Sequence, residues 1–262
     1  MPLFDSHVHT ELCNHAQGPM ACFLARTRGL SGLCFLDHLT LRPEDARLSM
    51  SPEEAPLYYA ATRRLSRANA GGPEVLVGLE IDYAPDLAAP AKEVAMRFDF
   101  DLLAMSVHFV DEINLVSRRA TRDLSTPREE LAHRYLDLVL SALSDPYFQV
   151  LGHMDCAKKF FGPIFAGMEP RFREIFTALA DLGIACEINT SGFDHPVSEP
   201  YPSPALFTLM KKAGVDITLG SDAHKPCEVG RHFDKTAALL RDAGYKEFVT
   251  FSRRKRKRHP LP

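Results

Sequence analysis

The chain has 262 residues, of which 25% are charged and 45% hydrophobic. That balance excludes a disordered or collagen-like chain, and the length supplies a core that needs no disulfide staples. The net charge of −3 disfavours a general grip on nucleic acid. One basic run, Arg253-Arg254-Lys255-Arg256-Lys257-Arg258, carries +6 and leaves −9 on the remainder. The run keeps a nucleic-acid or acidic partner open as the sharper reading. We expect one domain over residues 1–252 and a flexible basic tail over 253–262. The six cysteines form no CxxC pair, and several lie in apolar runs, so buried, reduced thiols are expected. No basic-then-apolar leader opens the sequence, and no apolar stretch approaches the ~18 residues of a membrane span. A cytoplasmic location is expected.

Short apolar runs alternate with helical patterns along the chain. The first run is Pro2–Val8, followed by a helix over about 19–29. Gly32–Leu36 comes next, then a helix over 53–70 and the run Glu74–Leu79. A helix near 90–97 precedes Phe100–Val107. An irregular stretch, 109–125, leads to a helix over 127–143 and the run Phe148–Leu151. A helix over 169–182 leads to Ile184–Ile188, and one over 203–213 leads to Val215–Leu219. A helix over 227–242 and a short strand, Glu247–Phe251, close the series. Seven strand–helix repeats predict parallel strands joined by helical crossovers. Continuous Val/Ile/Leu runs fit strands covered on both faces.

The polar residues choose between an open sheet and a closed barrel. Of 11 histidines, seven (His7, His9, His15, His38, His108, His153 and His224) follow strand ends. Glu80 ends the third strand, Glu187 and Asn189 the sixth, and Asp222 the seventh. An open sheet would spread these groups along a line, whereas a barrel gathers all strand C-terminal ends at one mouth. The barrel is favoured. His7-Val8-His9 puts two imidazoles on one face of a strand, and Asp222-Ala223-His224 repeats the spacing. Imidazole and carboxylate ligands without thiolate suit Zn²⁺, Mn²⁺ or Fe²⁺. Nine candidate ligands suit two or three ions sharing a bridging carboxylate. Clustered ions serve displacement at phosphorus.

In order, Asp5-Ser6-His7-Val8-His9, Asp37-His38, Gly78-Leu79-Glu80, Ser106-Val107-His108, Gly152-His153-Met154-Asp155 and Gly220-Ser221-Asp222-Ala223-His224 resemble the polymerase-and-histidinol-phosphatase (PHP) superfamily. The match spans roughly residues 3–245. Within it, Leu12-Cys13-Asn14-His15-Ala16, Lys158-Lys159, Asn189-Thr190-Ser191-Gly192 and Pro226–Gly230 resemble the monofunctional histidinol-phosphate phosphatases. The resemblance implies a distorted seven-stranded (β/α)7 TIM-like barrel with a trinuclear centre. His7, His9, Glu80 and Asp222 would hold one ion. Glu80, bridging, would hold a second with His108 and His153, and His15, His38 and His224 the third. The segment after the fourth strand, Phe109 to Arg119, matches nothing in that branch.

The expected reaction is hydrolysis of a phosphate monoester, L-histidinol phosphate in histidine biosynthesis, with a metal-bridging hydroxide as nucleophile. His7, His9, Glu80, Asp222 and His224 are the candidate catalytic residues. A PHP phosphoesterase of other specificity (a phosphodiesterase, a nucleotide or sugar-phosphate phosphatase, an exonuclease) is the alternative, and a non-catalytic metal-binding module a third reading. No GxSxG elbow or HCx₅R loop offers a covalent nucleophile. Lys158, Lys159, Arg118, Arg119 and Asn189 are candidate substrate contacts, with Arg122 beside them. Asp37 and Asp155 neighbour ligands and are expected to orient imidazoles. His195 and His232 read as structural.

Overall fold

A run such as Val75-Leu76-Val77-Gly78-Leu79 has no polar side to offer water, so it is stable only between two apolar layers. The computed structural model, which describes residues 3–27, 29–122 and 126–262, places it there. The strands are β1 (Phe4–Val8), β2 (Gly32–Leu39), β3 (Glu74–Asp82), β4 (Leu102–Ser106), β5 (Phe109–Val110), β6 (Ile113–Asn114), β7 (Val150–Leu151), β8 (Ala185–Asn189), β9 (Ile217–Gly220), β10 (Glu247–Ser252) and β11 (Lys255–Pro260). The helices are α1 (Met20–Leu24), α2 (Ala55–Ala68), α3 (Ala88–Met96), α4 (Arg128–Ala142), α5 (Lys158–Phe161), α6 (Glu169–Leu182), α7 (Pro204–Lys212) and α8 (Phe233–Asp242). Seven parallel strands lie in the order β1-β2-β3-β4-β7-β8-β9.

The ring is nearly closed between β1 and β9. Val8 pairs with Ala223, the His9 N–H donates to the Ala223 carbonyl (2.9 Å), and the Asp222 N–H donates to the His7 carbonyl (2.8 Å). Asp5 fastens the same seam from inside: one carboxylate oxygen accepts from the Ser221 N–H (2.9 Å), the other from the Gly230 N–H (2.8 Å). Helices cover the outside, and Tyr58 of α2, fully buried, donates its hydroxyl to the Gly78 carbonyl at 2.9 Å.

Several expected boundaries move. The helix expected over 19–29 ends at Leu24, where the Thr27 hydroxyl takes up the Leu24 carbonyl at 2.7 Å. The helix expected over 227–242 begins at Phe233, because Pro226–Glu228 form a separate 3-10 turn and His232 has φ +59°. The stretch called irregular holds the β5–β6 hairpin and a 3-10 turn, Arg118–Thr121. Its residues 123–125 lie outside the described residues, as does Pro2 of the first run.

The basic run is not a flexible tail. It forms β11, antiparallel to β10 in register from Glu247 opposite Pro260 to Ser252 opposite Lys255. The two-residue turn is Arg253-Arg254, both at positive φ (51° and 61°), the conformation whose twist matches a tight hairpin. Their N–H groups donate to the Asp101 side chain and carbonyl at 2.9 and 2.8 Å. Arg258 grips Asp216 with two nitrogens, each at 2.8 Å. The His259 ring lies 5.1 Å from that of Phe248 and bonds the Thr250 hydroxyl at 2.8 Å. Thus Arg256 and Arg258 on one strand face are paired with Asp216, and His259 on the other is buried against β10 while Lys255 and Lys257 stay exposed.

Candidate metal centre

All parallel strands end at the same rim, so the side chains after them converge. Glu80, 1% exposed, lies at the middle. Its carboxylate is 2.7 Å from His38 Nδ1, 2.7 Å from His153 Nε2, 3.4 Å from His7 Nε2, 3.6 Å from His108 Nε2 and 3.7 Å from His9 Nε2. The Ser106 hydroxyl donates to it at 2.7 Å. Asp222 stands at the seam, 3.2 Å from His9 Nε2. His15 and His224 extend the cluster, their rings 4.3 Å apart, and the His224 ring lies 4.0 Å from that of His9. All nine sequence-predicted ligands therefore meet in one place.

Four of the imidazoles hold Nδ1 against an outer acceptor and turn Nε2 inward, whereas His38 turns Nδ1 toward Glu80. His7 Nδ1 is 2.6 Å from Glu187, His108 Nδ1 is 3.2 Å from Asp82, His15 Nδ1 is 2.8 Å from the Cys13 carbonyl, and His224 Nδ1 is 3.0 Å from the Asp222 carbonyl. Such acceptors select the tautomer whose Nε2 carries the lone pair. Among the described residues five groups bring their donor atoms within 4.8 Å of one another: His7, His9 and Asp222; Glu80, His108 and His153; His9, His38 and His224; Cys13, His15 and His224; and His9, Cys13 and Asp37.

Among the described residues, buried atoms left without a hydrogen-bond partner include His224 Nε2 and His9 Nδ1. Burial would raise the Glu80 carboxyl, but His38, His7 and His153 outweigh it and hold it well below the usual carboxylate range. Burial, helped by His224 and His38, pushes His9 well below the ordinary imidazole range, so it stays neutral and available as a ligand. Against burial, Asp82 and Glu80 lift His108 to about 9, so proton and metal ion would compete for its lone pair. Converging imidazole nitrogens, an unpartnered His224 Nε2 and two carboxylates fit divalent ions.

The expected substrate contacts are rearranged. Lys158 is buried, and its ammonium is spent on Glu199 (2.8 Å), Asp155 (2.9 Å) and the Pro200 carbonyl (2.9 Å). Asp155 therefore braces Lys158, and accepts from the Ser203 N–H at 2.9 Å, instead of orienting an imidazole. Asn189 is fully buried: its amide donates to Asp222 and Glu187, both at 3.3 Å. It steadies a ligand and does not line the cavity. Arg118, Arg119 and Arg122 are exposed and also lie off the cavity wall, with Arg118 over the Phe160 ring. Lys159 alone of the five lines the cavity, of about 160 Å³, together with Thr40, Asp45, Asn114, Val116 and Tyr201. Asp37 sits 3.7 Å from His9 Nδ1 and accepts the Thr10 N–H at 2.5 Å. His195 borders Phe160, ring to ring 6.1 Å, and His232 pairs with Asp194 at 2.7 Å.

Glu187 and Asp82 received no role from the sequence. A signal existed for Glu187: it shares a strand face with Asn189, two residues on, in an otherwise apolar run. Its reach to His7 depends on Gly220, where a Cβ would collide with the Glu187 carboxylate and the His7 Cβ.

A barrel whose strand ends aim this many metal-ligating groups at one carboxylate is built for metal-dependent hydrolysis. The chain belongs to the PHP domain family, whose model matches residues 5–191. It is 36% identical to a Deinococcus radiodurans protein described as a probable histidinol-phosphatase, over 97% of this chain and 98% of the relative. A Schizosaccharomyces pombe protein of the same description is 27% identical over 93% of this chain and 87% of its own length. The crystal structure of histidinol phosphate phosphatase from Lactococcus lactis, complexed with zinc, L-histidinol and phosphate, superposes with a TM-score of 0.83 at 23% identity. That match covers 97% of this chain and 98% of that one. Among the described residues no helix is long and apolar enough to cross a membrane.

Proposed function

We propose that the chain hydrolyses L-histidinol phosphate to L-histidinol and phosphate, as a divalent-metal-dependent step of histidine biosynthesis in the cytoplasm. The observation that carries the chemistry is the Glu80 carboxylate, within 3.7 Å of five imidazoles at the floor of a cavity with a free lysine. The substrate reading is supported by full-length similarity to the Deinococcus protein.

Three ions account for the ligand set: one on His7, His9, Glu80 and Asp222, one on Glu80, His108 and His153, and one on His15, His38 and His224. Ions held there would activate water for attack at phosphorus and neutralise the phosphate oxygens. The chain's own residues do the rest. Glu80 joins two ligand groups, and Glu187, Asp82 and the Cys13 carbonyl fix which imidazole nitrogen faces them. Lys159 supplies a fixed positive charge in the cavity wall for the phosphate. Water's oxygen bonds to phosphorus as the ester P–O bond breaks, and the alcohol leaves. The site must lower the barrier by roughly 20 kcal/mol, as phosphate monoesters are among the slowest compounds to hydrolyse.

The test is phosphate release from histidinol phosphate, other small monoesters, a diester and short DNA, with Mn²⁺ or Zn²⁺ and with excess EDTA. EDTA-sensitive turnover with histidinol phosphate preferred strongly over the other small monoesters, and none of the diester or DNA, is expected. Turnover of other substrates with histidinol phosphate ignored overturns the substrate assignment.

A further inference from the structure

The cavity above the cluster carries opposite charges on opposite sides. Lys159 enters it from α5, which follows β7, and Asp45 enters from the 3-10 turn Pro43–Asp45, which follows β2. Around the ring, β7 lies three strands from β2 one way and four the other, so the two side chains stand across the mouth. The surroundings agree: Lys159 feels Asp222 and Cys156, whereas Asp45 feels His108, Asp82 and His38.

Asp45 has no task in the fold that needs its carboxylate. Only its backbone serves the turn, with the N–H donating to the Arg42 carbonyl (3.2 Å) and the carbonyl accepting from the Leu48 N–H (2.8 Å). Among the described residues its side chain makes no hydrogen bond or ion pair. The cation three residues away, Arg42, is turned onto Asp82 at 3.5 Å, the Asp111 carbonyl at 3.4 Å and the Phe109 ring at 4.8 Å. The other carboxylates in the cavity wall, Asp82 and Asp222, already face imidazoles. Asp45 is thus a half-buried acid left over, opposite Lys159, whose ammonium meets only the Phe160 ring (5.4 Å) among the described residues, and a ligand bearing both charges would satisfy the pair.

We propose that Asp45 is a specificity residue that binds a cationic nitrogen on the alcohol part of the substrate, while Lys159 faces its phosphate. The substrate class is then an amino-alcohol phosphate. This deepens the phosphatase reading above and rests on it. It also places recognition of the alcohol after β2, outside the segment that follows β4.

The test compares Asp45→Asn with wild type, both zinc-loaded, on histidinol phosphate and on p-nitrophenyl phosphate, whose alcohol has no cation. The ratio of the two kcat/KM values is expected to fall about tenfold or more, the scale of a lost charge-assisted hydrogen bond. The Kd for L-histidinol measured by calorimetry should weaken by a similar factor, and Asp45→Glu should keep most of the preference. An unchanged ratio overturns the proposal, whether both substrates fall together or neither falls. Failure of the underlying reading shows in the wild type instead: turnover of p-nitrophenyl phosphate with neither hydrolysis of histidinol phosphate nor binding of L-histidinol.

Discussion

The Glu187 carboxylate reaches over Gly220 on the intervening strand to meet His7 Nδ1 at 2.6 Å. A second oxygen accepts the His153 N–H at 2.8 Å, so one acid steadies ligands of two groups. Glu187→Gln should weaken metal binding or activity by about 10–100-fold, the usual cost of losing such an acceptor. Gly220→Ala should do similar harm without removing any polar group, because its methyl would displace the Glu187 carboxylate and crowd His7 Cβ. Zinc titration of both variants checks this, and wild-type affinity in Gly220→Ala would show that the contact is dispensable.

Glu80→Gln removes the charge around which five imidazoles gather. Turnover should drop more than about a hundredfold, beyond the effect of an outer contact. The fold should persist, because the amide occupies the same volume. Circular dichroism and metal stoichiometry, measured beside kcat, separate a lost ion from a lost fold. Retained turnover would remove Glu80 from its bridging role.

Neighbouring lysines should respond in opposite ways. Lys158→Met strands Asp155 as a buried, uncompensated charge, and should destabilise the protein by about 3–5 kcal/mol. Lys159→Met should leave stability nearly unchanged and raise KM for the phosphate ester by about tenfold. Denaturant titration and steady-state kinetics on both variants test the contrast, and equal stability losses would refute it.

Truncation after Ser252 should lower Tm by more than about 5 °C, since about 1 kcal/mol shifts a chain of this size by 2–4 °C. The cut uncovers Phe248 and Val249, each 1% exposed, and leaves Asp216 without Arg258. A calorimetric scan showing no change would restore the picture of a dispensable tail.

Chelation is a further probe. Excess EDTA should abolish turnover, and restoring Zn²⁺ or Mn²⁺ should raise Tm, because an ion that binds only the folded chain stabilises it by mass action. An EDTA-insensitive Tm would mean that the purified protein carries no ion to remove.

The strand sequence and its terminal ligands were legible because both follow short-range rules: apolar runs mark buried strands, and parallel strands end together. What lay hidden depends on neighbours distant in sequence. Lys158 and Lys159 look alike in the chain, yet adjacent helical positions point different ways, one to Glu199 and the other to the cavity. Glu187 needed the missing Cβ of Gly220 on another strand. The basic run hid a strand because half of its charges find distant partners: Arg256 and Arg258 meet Asp216, about forty positions back, and Arg254 meets backbone carbonyls on α3 and after it.

The seam between β1 and β9 joins groups as far apart as Asp5 and Ser221, 216 positions along the chain. His7 and His9 sit on one lip and Asp222 and His224 just past the other. A nascent chain that has emerged only through β8 therefore owns the imidazoles of the first strand but nothing to close them with. The proposed groups thus differ in when they can form: Glu80, His108 and His153 are together before β9 exists, whereas His7 and His9 wait for Asp222 and for the closing of the seam.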